Sequence, residues 1–134
     1  MAKKKKRKVP ARTILKRLKV KADKALSEYV RKQTTWAYAL CPLCNVNPVH
    51  HNFHFISRKR AILRWDIRNC IGSCKGCNLM ENYWPDLSRA FYIRTFGVDQ
   101  YLALVDESRK SFVPTPLYLQ GIIDGYTEAS SHLV

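Results

Sequence analysis

Four cysteines stand in two pairs of identical spacing, Cys41-x-x-Cys44 and Cys74-x-x-Cys77, and the 29 residues between the pairs contain His50, His51 and His54. Two intervening residues let a single turn present two thiolates to one ion, and four thiolates complete the tetrahedron around Zn²⁺ with no open position. The spacing therefore predicts a structural zinc site. Cys70 falls outside it and reads as a small buried apolar side chain. A zinc ribbon needs only enough chain between its pairs to turn back. This insertion is instead rich in His, Arg and Asn, so further chemistry is expected there. An imidazole titrates near pH 6.5, so a histidine in the insertion could take a proton near neutrality or bind a cation.

The elements that must position these groups follow from pattern. From Arg12 to Gln33, Leu15, Leu18, Ala22, Leu26, Tyr29 and Val30 recur at three- and four-residue steps, which predicts an amphipathic helix. Its other face carries Lys16, Arg17, Lys19, Lys21 and Lys24. Residues 34–73 read as hairpin and loop, and "HNFHFIS" alternates like a strand. In a regular strand His51 and His54 fall on opposite faces, unless a bulge or turn at Asn52 brings them together. Helices are expected from Cys74 to about Asn82, from Asp86 to Phe96 with Gly97 as a stop, and from Val98 to Ser108. Thr115-Pro116 then reads as a cap followed by a first-turn proline, opening a last helix through Leu119, Ile122, Ile123 and Tyr126.

Charge divides the chain unevenly. The 134 residues carry a formal charge of +14, of which residues 1–24 hold +11 and the remainder only +3. Lys3, Lys4, Lys5, Lys6, Arg7 and Lys8 form an uninterrupted cationic run that should be disordered alone and that resembles a nuclear-localisation signal. Such an arm points to a polyanionic partner, DNA above all. No run approaches the roughly 18 apolar residues of a membrane span, and the N-terminus lacks the apolar core of a secretory signal. An intracellular protein without membrane contacts is expected.

Taken together, "CPLC", "HHNFHFISR" and "LRWDIRNCIGSCKGCN" resemble the HNH, or ββα-metal, endonucleases, and within them the lambda NinG/Rap-like phage recombination nucleases. The resemblance runs from about Cys41 to about Val105. It implies an α+β fold: a small ββα-metal core with a Cys₄ structural zinc, flanked by N- and C-terminal helices. Residues 1–11 would be the basic arm, 12–35 the basic helix, 36–97 the nuclease core and 98–134 a helical extension. It also implies metal-dependent hydrolysis of DNA phosphodiester bonds, on branched or structured DNA in recombination or genome processing. His54 would be the general base, and Asn69 the residue that holds the loop and orients it. Asn78, directly after the fourth zinc cysteine, would be a ligand to a catalytic cation. Arg58 is the candidate for phosphate or transition-state contact. Lys16, Arg17, Lys19, Lys59 and Arg60 would join the arm in contacting the backbone.

One departure from the family pattern stands out. The family places a carboxylate ahead of the base, and this chain has His51 there. Imidazole is softer than carboxylate, so Mn²⁺ or another divalent transition metal could serve in place of Mg²⁺. In a second register His50 is the ligand and His51 the base. Glu81 or Asn82 could complete the metal shell, and Asp66 is expected to pair with Arg64 or Arg68 as a structural contact. By the same resemblance, partners would include a second copy of the chain, suited to two-fold symmetric substrates, and other recombination or replication proteins. The setting would be the host cytoplasm for a phage protein, or a nucleus for a eukaryotic or viral one. The rival reading is a non-catalytic zinc-ribbon nucleic-acid-binding protein.

Overall fold

The computed structural model describes residues 2–81 and 85–133. Its architecture is α+β: six α-helices surround one two-stranded antiparallel sheet among the described residues. The order is α1 (Ala11–Tyr38), β1 (His51–His54), α2 (Ala61–Arg64), a 3-10 turn (Ile67–Asn69), β2 (Cys70–Ser73), α3 (Lys75–Met80), α4 (Pro85–Phe96), α5 (Val98–Ser108) and α6 (Pro116–Ser131). Residues 2–10, including the cationic run, are exposed and carry no regular secondary structure. No helix among the described residues is long and apolar enough to cross a membrane.

Helix α1 is uninterrupted because residues 11–38 contain neither glycine nor proline, and Leu, Ala, Lys and Arg are good helix formers. Pro10 marks its start, with the Pro10 carbonyl accepting from the Thr13 and Ile14 N–H groups. The predicted apolar stripe is the buried one. Ala22, Leu26 and Val30 pack with Trp65 and Leu119, and Leu15, Leu18, Tyr29, Ile122, Ile123 and Tyr126 close over them. This joins α1 to α6, whose first turn is capped as the sequence predicts: Thr115 Oγ1 accepts from the Tyr118 N–H at 3.1 Å, and Pro116 directly follows the cap. A second core of Leu63, Tyr92 and Leu104, with Phe55, Ile56, Ile62 and Tyr101 against it, joins the loop after β1 to α4 and α5.

The sheet pairs His51 with Ser73, Asn52 with Gly72, Phe53 with Ile71 and His54 with Cys70. Antiparallel pairs alternate in bonding, so the Gly72 N–H turns away from β1 and donates to Thr34 Oγ1 of α1 at 2.8 Å. The approach is close enough to require glycine. A Cβ there would lie 2.6 Å from Val49 Cγ1 and 2.8 Å from Thr34 Cβ. Helix α1 thus seats directly against β2. Two antiparallel strands followed by a short helix, α3, form the centre that carries the cysteines and histidines.

Candidate metal centre and adjoining cleft

The Cys41-to-Asn47 turn brings the first two thiols together. Cys41 N–H donates to the Asn47 carbonyl at 2.8 Å, and Asn45 N–H to the Cys41 carbonyl at 2.7 Å. Asn45 takes a left-handed φ of 57°, a conformation asparagine tolerates better than most residues. The second pair sits at the start of α3, where Cys74 Sγ accepts from the Cys77 N–H at 3.4 Å. The four sulfurs all lie within 4.8 Å of one another, and Cys44 Sγ is 3.8 Å from Cys74 Sγ. A tetrahedral zinc with bonds of about 2.3 Å separates its sulfurs by about 3.8 Å, so the donors present fit that ion. All the cysteines are free thiols. Backbone N–H donation, led by Asn47, holds the Cys44 thiol down to about 7, whereas burial pushes Cys41 and Cys77 up. Cys70 stands outside the cluster, partly buried against the α1–α6 core, and burial pushes it up to about 12.

Beside the cluster, a cleft of about 560 Å³ runs between α1, β1 and α3. His51, His54, Arg58, Asn78 and Glu81 all line it. The strand is in register through Asn52, with no bulge there, yet His51, Asn52 and His54 all reach the cleft. His50 is exposed and is not among the lining residues, so the structure brings together the donors of the first register and leaves out the first histidine of the second. Asn82 lies outside the described residues. Lys59 and Arg60 are exposed on the loop after β1 and do not line the cleft. No second group of three or more His, Cys, Asp or Glu donors is gathered like the cysteines among the described residues.

His54 is held at one ring nitrogen. Nε2 lies 2.8 Å from the carbonyl oxygen of Arg64, the last residue of α2. A carbonyl only accepts, so Nε2 carries the proton and Nδ1 keeps a free lone pair. The terminal carbonyls of a helix lack intrahelical partners, which leaves this one available. Burial holds the His54 pKa below the ordinary histidine value. The bond to the Arg64 carbonyl opposes that shift, and the Arg58 cation adds to it. The ring is therefore neutral at pH 7.

Asn69 is fully buried and fastens the two segments that meet at His54. Its Oδ1 accepts from the Ile56 N–H at 2.7 Å, and its Nδ2 donates to the Ile56 carbonyl at 2.8 Å and to the Leu63 carbonyl at 3.3 Å. Its own carbonyl accepts from the Phe55 N–H at 2.9 Å. One side chain thus ties the end of β1 to the end of α2. Asp66 caps the 3-10 turn and pairs with Arg68 at 2.6 Å, which selects Arg68 of the two expected partners.

Arg64 pairs instead with Asp23, a residue the sequence does not mark. The Arg64 Nε and Nη2 groups donate to the two Asp23 carboxylate oxygens at 3.0 and 2.5 Å, and Arg58 Nη2 reaches the same carboxylate at 3.2 Å. The one available signal is that Asp23 is the lone acid among the cations of residues 1–24. Lys24 and Ser27 also line the cleft, so the basic face of α1 runs into it. Arg17 lies seven residues before Lys24, two helical turns along the same side. Glu81 follows α3 by one residue and supplies a carboxylate from a direction the strand pattern does not offer. Burial raises its pKa, and the Ser88 hydroxyl donates to its Oε2 at 3.0 Å.

No protein-family model, curated protein or solved structure matches the chain.

Proposed function

We propose that the protein is a metal-dependent DNA endonuclease of the HNH, or ββα-metal, type, with the cleft beside the cysteine cluster as its hydrolytic site. The observation that carries this reading is His54: a neutral imidazole with Nε2 fixed on a backbone carbonyl and Nδ1 left free, in an open cleft with arginine, lysine, asparagine and a second histidine. Phosphodiester hydrolysis needs a base for water near neutral pH and positive charge beside the phosphate. The β–β–α order and the seating of Asn78 directly after Cys77 support the same reading.

In this scheme His54 Nδ1 takes a proton from water as the water oxygen attacks phosphorus. The bond to the 3′ oxygen breaks, that oxygen takes a proton from solvent water, and His54 returns its proton to solvent, which restores the neutral ring. Asn69 holds the β1 end and the α2 end in register, so that Nδ1 rather than Nε2 is the free nitrogen. Arg58, on the cleft rim, meets a non-bridging phosphate oxygen. His51, Asn78 and Glu81 are the side chains that would hold a divalent cation, Mg²⁺, Mn²⁺ or another transition metal. Such an ion supplies charge to the phosphate and the departing oxygen. The donor set is mixed, two neutral side chains and one carboxylate, which suits a transition metal at least as well as Mg²⁺. The arm, Lys3 to Lys8, and the α1 face with Lys16, Arg17, Lys19 and Lys24 give salt-sensitive affinity for the DNA backbone. An intracellular setting, branched DNA as substrate, a second copy of the chain and other recombination or replication proteins as partners belong to the same proposal.

The test is incubation of the zinc-loaded protein with supercoiled plasmid and with branched DNA, under Mg²⁺, Mn²⁺ or Ni²⁺, beside His54→Ala. Cutting that needs both the added ion and His54 is the expected result. Tight DNA binding with no cutting under any ion would instead mark a non-catalytic zinc-ribbon nucleic-acid-binding protein.

A further inference from the structure

We propose that Asp23 of α1 is a positioning residue for His54, acting through Arg64, so that the basic helix forms part of the hydrolytic site as well as a handle for DNA. The inference rests on the reading of the cleft as hydrolytic. Two guanidinium groups share the Asp23 carboxylate unequally. Arg64 makes two contacts, at 3.0 and 2.5 Å, and its side chain is 20% exposed. Arg58 makes one contact at 3.2 Å and is 57% exposed.

A bidentate, partly buried pair fixes both partners in orientation, whereas a single exposed contact is weak and readily exchanged. Asp23 therefore holds Arg64 firmly and Arg58 loosely. Arg58 is free to leave for a phosphate oxygen, and Arg64 is not. The Arg64 guanidinium also lies 4.8 Å from the centre of the Trp65 ring, a cation–π contact with a fully buried residue.

Arg64 is also the residue whose carbonyl accepts from His54 Nε2. Its side chain is clamped to α1 and its backbone to the base. The carboxylate at residue 23 thus reaches His54 through one residue, by two direct contacts: carboxylate to guanidinium, then carbonyl to imidazole. Helix α2 spans only Ala61–Arg64; buried Leu63 and Trp65 and the Asn69 bond to the Leu63 carbonyl anchor the chain on either side of Arg64, and the Asp23 pair adds a charged link from Arg64 itself to α1. Asp23 is the one acid of α1 that lines the cleft. The other charged or titratable groups there are Lys24 on the same helix, His51 on β1, Arg58 after it and Glu81 after α3.

The experiment uses the full-length, zinc-loaded chain and two independent readouts. Ring ¹⁵N NMR at a fixed pH above the histidine range reports which His54 nitrogen carries the proton. The wild type is expected to show Nε2 protonated and Nδ1 bare, and Asp23→Asn to show averaged signals from both tautomers. Cleavage kinetics should show kcat lowered about ten- to hundredfold in Asp23→Asn, in line with losing the support of a catalytic group, with DNA affinity unchanged or tighter because an acid has left a cationic surface. Asp23→Glu should restore part of kcat. Thermal unfolding and zinc content identify a variant that merely fails to fold, and Arg64→Lys, which keeps the charge but not the fork, is then read in its place.

An unchanged His54 spectrum in a folded variant overturns the coupling, whether or not the wild type cuts DNA. So does a fall in activity that follows weaker DNA binding with kcat unchanged. A changed spectrum in a protein that never cuts DNA supports the coupling and overturns the hydrolytic reading instead.

Discussion

The cysteine cluster and the histidine cleft share helix α3, where Cys77 serves one and the next residue, Asn78, lines the other. They are nevertheless built on different terms. The cluster brings four like donors within 4.8 Å by two short turns, each closed by local backbone bonds. The cleft draws its groups from α1, β1, the loop after β1, and α3, and its central histidine is held by a carbonyl ten residues away. A closed site of identical ligands can be specified by spacing alone. An open site that must leave one nitrogen free needs partners for every other polar atom around it, and those come from distant parts of the chain.

This contrast can be broken most severely at the cluster. Removing the ion with a chelator, or replacing Cys74 with Ala, takes away a binding free energy of about 10 kcal/mol or more, so circular dichroism should show loss of the fold together with loss of one zinc per chain by elemental analysis. Cys70→Ser should keep the zinc. Next in size is the cleft itself: His54→Ala should lower cleavage by about 10²–10⁴-fold with zinc content unchanged. Burial lowers the His54 pKa, so the ring stays neutral in the fold while the unfolded chain takes up a proton below about pH 6.5. The His54 contribution to stability is therefore present above that pH and is lost as pH falls towards the lowered folded value. Denaturant titrations at two pH values, with and without His54, should show this.

Between the two sites lies their shared scaffold. Asn69→Ala leaves the Ile56 N–H and carbonyl without their side-chain partner and removes one of the donors to the Leu63 carbonyl, and should destabilise the protein by about 3 kcal/mol in denaturant unfolding while also reducing cleavage. Gly72→Ala forces a Cβ against Val49 and Thr34 and should cost about 1–3 kcal/mol by the same measurement. The mildest change to turnover is deletion of residues 2–10. Losing six cations should flatten the slope of log affinity against log salt by up to about 5, with kcat at saturating DNA unaltered.

Legibility follows distance along the chain. The paired cysteines, the apolar stripe of α1 and the Thr115-Pro116 cap rest on neighbours within a few residues, and each stands where the pattern puts it. The face of His51 is a harder case, because strand alternation separates it from His54 while the cleft runs along β1 and receives both. Asp23 is harder still. Its partners Arg64 and Arg58 lie 41 and 35 residues away, and no periodicity links an acid in one helix to arginines after a strand.

The sequence by itself determines that four thiols meet, that a basic helix precedes them, and that histidines and an asparagine accompany the cluster, because spacing and charge are properties of the chain. Only the tertiary structure decides which ring nitrogen of His54 is free and which arginine is held. Those depend on one carbonyl and one carboxylate brought in by α2 and α1, and burial makes each polar atom take whatever partner the packing provides.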